Sequence, residues 1–287
     1  MASIAIITDS TSCIPSELQE KYNITTVPLG FLFGENLYLD NVSLSWEEFY
    51  RLLKAARRLP TTASAPPGAF LEAFREAYGR GSKDVLCIVT GKQFSGTYSS
   101  ACNAADLAKQ EMADIQIRVM DSHSAGPSLG FVVLATARAA ANGATLDEAA
   151  AKGEALIPRL YMLAVLDTLE YVAKGGRVPR VVAWLSSRLQ VKPILQYHGG
   201  KVSLVERVRT KPRALIRLLG LVNHRLQPGK PLHVAVFHAG APQEAEELAA
   251  RVEQEIRPQE LYVSEFSQAM SIHSGPGLVG LAFYNEP

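Results

Sequence analysis

With 287 residues and 47% hydrophobic content, the chain can bury one large core or two moderate ones, and two domains are expected. Its 29 basic and 28 acidic side chains leave a net charge of +1, which excludes a global electrostatic attraction to nucleic acid or to an anionic membrane, so an anion would be held by local groups. The three cysteines, Cys13, Cys87 and Cys102, have no paired metal-ligand spacing and read as reduced thiols of a cytoplasmic protein.

The opening run Met1-Ala2-Ser3-Ile4-Ala5-Ile6-Ile7 lacks a basic flank and breaks at Asp9. It is too short for a signal peptide or a membrane span and reads as a buried first strand, so no stable membrane insertion is expected. Strand-like runs over residues 4–8, 85–90 and 115–120 alternate with helical patterns over 17–22, 46–58, 67–78, 98–112 and 129–142. Strands that are apolar throughout and separated by helices predict a parallel sheet covered on both faces. After an alanine-rich helix over 146–157 a second pattern starts near Leu160. Apolar runs over 191–197 and 202–208 flank His198-Gly199-Gly200-Lys201, a hairpin signal. Helix 212–226, strand 232–238, helix 243–256, strand 261–266 and a last strand 279–284 complete a mixed α+β pattern. The expected organisation is an N-terminal α/β domain over 1–158 and a C-terminal α+β domain over 159–287. No flexible linker separates them, so the ligand is expected in a cleft between the two.

Four short hydroxyl- and glycine-rich segments punctuate this pattern: Thr8-Asp9-Ser10-Thr11-Ser12, Pro60-Thr61-Thr62-Ala63-Ser64, Phe94-Ser95-Gly96-Thr97-Tyr98 and Ile272-His273-Ser274-Gly275-Pro276-Gly277. Each reads as a loop after an apolar run. Such loops offer hydroxyls and backbone N–H groups to a carboxylate or phosphate without supplying a strong base. The loops after the first strand, at Ser95 and at Asp121-Ser122-His123-Ser124 fall at the carboxyl edge of the predicted parallel sheet, where open α/β folds place ligands. Ser95-Gly96-Thr97, opening a helix, is the sharpest of them. Taken singly, each also fits a helix cap, with Ser95 or Thr97 capping one helix and Thr11 or Ser12 the first.

Gly275-Pro276-Gly277-Leu278-Val279-Gly280 matches the spacing of a dinucleotide-binding loop, but a strand rather than a helix follows it, so that reading is rejected. Lys174-Gly175-Gly176-Arg177-Val178-Pro179-Arg180 is a basic loop in which Arg177 could fork onto an anion; Arg207, Arg209 and Lys211 add charge after the second hairpin strand. There is no nucleophile elbow, phosphate-binding lysine loop or metal-ligand grouping. A triad of Ser10, Asp121 and His273 can be drawn, but a chain of this length offers many such combinations.

These segments together resemble the DegV family across essentially the whole chain. The resemblance is carried by Thr8-Asp9-Ser10-Thr11-Ser12, Phe94-Ser95-Gly96-Thr97-Tyr98-Ser99-Ser100-Ala101, Asp121-Ser122, Lys174-Gly175-Gly176-Arg177, Lys192-Pro193-Ile194-Leu195 and His273-Ser274-Gly275-Pro276-Gly277. It implies two α/β domains holding a long-chain fatty acid in an apolar tunnel, some members being the acyl-binding subunits of fatty acid kinase. By position it implies that Thr62 and Ser95, with the backbone at Gly96, take the carboxylate, and that His273, Arg177 and Arg209 lie near the head group. The family's TSQP-like loop is altered here, with Ala63, Ser64 and Ala65 after Thr62. Residues 129–141 and 181–189 fit tunnel walls or ordinary core equally. The expected protein is not itself an enzyme and uses no metal or cofactor beyond the bound fatty acid; a kinase catalytic subunit would supply the ATP chemistry. The rivals are a serine-dependent hydrolase or transferase, with Ser95 or Ser10 as nucleophile and His273 as base, and a lipid carrier or sensor without a kinase partner.

Overall fold

Up to Ile157 the chain forms strands on the predicted runs near 4–8, 85–90 and 115–120 with helices between and after them, together with four short strands that the sequence pattern did not predict. The elements of this stretch are β1 (Ala5–Asp9), α1 (Ser16–Lys21), β2 (Ile24–Val27), β3 (Gly30–Phe33), β4 (Asn36–Leu39), α2 (Trp46–Ala55), β5 (Thr61–Ala63), α3 (Pro67–Gly79), β6 (Asp84–Val89), α4 (Thr97–Glu111), β7 (Gln116–Asp121), α5 (Pro127–Ala141) and α6 (Leu146–Leu156). The computed structural model describes residues 4–178, 191–227 and 229–286. They divide into two units, Met1–Leu44 with Thr62–Ile157, and Ser45–Thr61 with Pro158–Pro287.

The first unit is built on a parallel sheet of order β2-β1-β6-β7. Ile7, Val85, Cys87 and Val89 point to one face, where Phe70 and Phe74 of α3 and Ala101, Ala104 and Ala108 of α4 close a buried cluster. α5 and α6 pack against the sheet as well. Small alanines on α4 let the helix approach closely, and each buried phenylalanine contributes about 1.5–3 kcal/mol. A second, three-stranded sheet of order β4-β3-β5 was not expected from the sequence, which treats this stretch as unstructured.

The second unit holds β8 (Tyr161–Val165), α7 (Glu170–Gly175), β9 (Lys192–His198), β10 (Lys201–Val208), α8 (Lys211–Asn223), β11 (Leu232–Ala239), α9 (Pro242–Glu255), β12 (Glu260–Glu265), α10 (Gln268–Ser274) and β13 (Leu278–Asn285). They form a six-stranded mixed sheet, β10-β9-β8-β13-β11-β12, in which only β11 and β12 run parallel. β11 and β13 are buried at every position, as two-sided coverage of central strands requires.

The single cut near Pro158 therefore needs a correction. α2 lies early in the chain but counts with the second unit, where Tyr50 meets Ser271 of α10 at 3.3 Å through its hydroxyl and lays its ring against Gly240. Its start is fixed locally by a capping box between Ser45 and Glu48. The stretch 181–189, expected as a possible tunnel wall, lies outside the described residues.

Candidate functional site

Because β1, β6 and β7 are parallel, the loops that follow them emerge from one edge of the sheet. The sequence treats all three as potential anion cradles; the structure separates them. After β1, Ser10–Ser12 form a single 3-10 turn whose residues are buried. The Asp9 carboxylate accepts the Thr11 backbone N–H at 3.0 Å and the Thr11 hydroxyl at 2.6 Å. It also accepts the Thr90 backbone N–H at 2.6 Å and the Thr90 hydroxyl at 3.0 Å. Ser10 donates to Asp40 at 2.6 Å and accepts from the Leu29 N–H at 3.0 Å. Burial pushes the Asp9 carboxyl above its ordinary range, and the four hydrogen bonds oppose that rise. This loop is an internal clasp between β1, β6 and the small sheet, not a ligand cradle, and Ser10 is not placed as a nucleophile.

The loop after β6 keeps its polar groups nearer to solvent. Gly96 is exposed and sits at the N-cap of α4, where it offers no side chain of its own to the helix start. Ser95 is half-buried; its hydroxyl accepts the Thr97 N–H at 3.2 Å and shares a 2.7 Å hydrogen bond with the Thr97 hydroxyl. The helix start thus directs backbone N–H groups and the positive end of a 15-residue dipole towards the Ser95-Gly96 turn. Thr62, half-buried, lies in the middle of β5, beside β3 in the small sheet. The segment after it reaches the same turn, for Ser64 Oγ lies 3.4 Å from where a Cβ on Gly96 would stand. Thr62, Ser95 and Gly96 therefore belong to one unit, and the Thr62–Ser64 segment runs up to Gly96. The third loop is stitched to the second: Gly91 N–H donates to Ser124 O at 2.7 Å and Lys92 N–H to Asp121 at 3.3 Å.

His273 is in the second unit, and it corrects the sequence reading. It sits near the end of the helix α10 and not in a loop after a strand. α10 packs on α7, and the contact is so close that a Cβ on Gly175 would lie 2.6 Å from His273 Nδ1. Arg177, exposed two residues later, donates to the Gly175 carbonyl at 2.9 Å. Burial first, and then the positive charge of Arg177, lower the His273 pKa to about 4. At neutral pH this imidazole is uncharged, able to donate one hydrogen bond but not to supply a cation. The sequence places Arg209 with these two; it lies on the exposed stretch after β10 and takes no part in the Gly175–His273 contact.

The glycines of the rejected dinucleotide pattern have a packing reason. A Cβ on Gly275 would strike the Tyr171 ring, one on Gly277 the Asp167 carboxylate, and one on Gly280 the Phe237 ring at 2.5 Å. Tyr171 and Asp167 were not identified from sequence as neighbours of this turn. The only signal was the glycine spacing itself, which states that something comes close and not what.

The profile described as "Uncharacterised protein, DegV family" matches residues 3–286. The chain belongs to the DegV family. A DegV domain-containing protein of Streptomyces coelicolor is 34% identical over 280 residues, covering 97% of each chain. Among solved structures, the DegV family protein from Thermus thermophilus, described for its fatty acid binding, superposes with a TM-score of 0.89 at 26% identity, over 99% of this chain and 100% of its own. DegV, a fatty acid binding protein from Bacillus subtilis, gives 0.87 at 29% identity over 100% of both. The two-unit DegV architecture expected from the sequence is thus present. Among the described residues no group of three or more His, Cys, Asp or Glu could hold a metal ion, and no helix is long and apolar enough to cross a membrane.

Proposed function

We propose that this DegV protein binds a long-chain fatty acid, holding its carboxylate at the Ser95-Gly96 turn with Thr62. The observation that carries the reading is the whole-length likeness to the fatty-acid-binding DegV proteins of Thermus thermophilus and Bacillus subtilis, combined with a helix start at exposed Gly96, whose N-cap residue has no side chain to occupy it. A C16 tail brings of order 10 kcal/mol of gross burial energy at about 0.8 kcal/mol per CH₂, so head-group contacts need only orient the acid. The resemblance assigns His273, Arg177 and Arg209 to the head group; within its own unit His273 is a neutral hydrogen-bond donor, and Arg177 and Arg209 are exposed cations. The bound acid is presented to a fatty acid kinase catalytic subunit, which carries the ATP chemistry; this chain contributes binding and orientation. The engagement of Ser10 with Asp40 and Leu29 supports binding over a Ser10-dependent hydrolysis.

Native mass spectrometry of the purified protein, followed by lipid analysis after denaturation, tests the reading. A stoichiometric C14–C18 acid is expected; a protein that is empty and takes up no added fatty acid removes it. Formation of acyl phosphate only when the protein, ATP and a kinase catalytic subunit are combined tests the second step.

A further inference from the structure

The hydrogen-bond capacity of the Ser95 turn leaves a carboxylate short of donors. Ser95 Oγ accepts the Thr97 N–H at 3.2 Å and lies 2.7 Å from the Thr97 hydroxyl. When Thr97 donates along that second contact, both Ser95 lone pairs are filled and a single O–H remains to offer to a ligand. A carboxylate has about four lone-pair sites, so the single Ser95 O–H, even with Thr62 and the N–H groups at the start of α4, leaves room for a further donor. A further hydroxyl beside the turn belongs to Ser64: it is exposed, follows Thr62 by two residues, and its Oγ lies 3.4 Å from where a Cβ on Gly96 would stand.

We propose that Ser64 is a further head-group ligand, donating its hydroxyl to the carboxylate held by Ser95. The inference rests on the fatty-acid reading above, and assigns discrimination between a free acid and its uncharged ester in part to a residue where the resemblance expects glutamine. Ser64→Gln is not a neutral change on this view, since a longer amide would have to find room against Gly96.

The test compares binding of myristate and methyl myristate by wild type, Ser64→Ala, Ser64→Thr and Ser95→Ala, using displacement of a fluorescent fatty acid. Loss of one hydrogen bond to a charged group should weaken myristate binding by Ser64→Ala about tenfold. Methyl myristate binding should change less than about twofold, and Ser64→Thr should recover acid selectivity because it restores the hydroxyl. Unchanged myristate affinity in Ser64→Ala, alongside a loss in Ser95→Ala, overturns the proposal and leaves fatty acid binding standing. So does an equal loss for acid and ester, which would mark a structural role. A wild type that binds neither compound overturns both readings.

Discussion

His273 Nδ1 and the α-carbon of Gly175 are so close that a single methyl group on Gly175 would stand 2.6 Å from the ring nitrogen. The helix pair α7 and α10 thereby uses the absence of a side chain on one partner to fix the ring of the other. Gly175→Ala should displace the imidazole and cost about 1–3 kcal/mol by overpacking. Urea denaturation would read the stability change, and a fatty acid titration the consequence for binding. A variant with wild-type stability and affinity would show that the ring moves aside without cost.

The low pKa of His273 has a stability consequence whose sign is fixed. Its folded pKa is about 4, against an ordinary value of 6.5, so between these the unfolded chain binds more protons than the folded one. The stability this neutral imidazole permits is fully present above about pH 6.5 and is lost as pH falls towards 4. Asp9, raised by burial, and His238, lowered by it, titrate as well, so the useful quantity is a difference. The stability gap between wild type and His273→Gln should shift in favour of the variant as pH is lowered from 7 to 4.5, measured by denaturant melts at each pH. A gap independent of pH would place the imidazole in water.

Asp9→Ala should be a folding mutation and not a binding one. It strands the Thr90 and Thr11 N–H groups in a buried site and leaves the two threonine hydroxyls only each other, at a cost of about 2–4 kcal/mol. The expected result is a lower denaturation midpoint with fatty acid affinity retained by the folded fraction. Normal stability with lost affinity would return the loop after β1 to the ligand.

A comparable loss is expected in the second unit. His233 is held between Glu260 at 2.7 Å and Glu286 at 2.8 Å, with its ring stacked on Tyr284 at 4.6 Å. It lies at the start of β11, at the opposite end of that strand from Ala239, whose carbonyl accepts the Gly277 N–H. His233→Ala leaves two carboxylates close together without their shared partner and should cost about 1–3 kcal/mol with fatty acid binding unchanged. Calorimetry and titration on the same sample would separate the two effects.

The sequence made the framework legible where local signals agree with the fold. β1 and β6 carry apolar runs and β7 alternates Ile117 and Val119 with Gln116 and Arg118, while the Gly199-Gly200 turn marks the β9–β10 hairpin because only such residues settle easily at φ of 57° and 78°. β3 and β4 escaped notice because four-residue strands around Gly34 are too short to establish a period. For the same reason the seven residues of α10 read as a loop, and His273 was placed on the wrong kind of element. The hydroxyl-rich loops looked alike in sequence; what separates the clasp at Asp9 from the open turn at Ser95 is burial, which is a property of distant partners such as Asp40 and Thr90. Membership of α2 in the second unit was likewise invisible, since Tyr50 finds Ser271 and Gly240 some two hundred residues away.

That placement of α2 means the polypeptide passes from one unit to the other three times, after Leu44, after Thr61 and after Ile157. Neither half can be cut out as one continuous piece. A fragment ending at Ile157 would carry α2 without Gly240 and Ser271, which Tyr50 meets in the whole chain, while the complementary fragment would present an uncovered patch at those two residues. The two halves should therefore accumulate poorly when produced apart and recover when co-produced, making this chain a candidate for split-protein complementation.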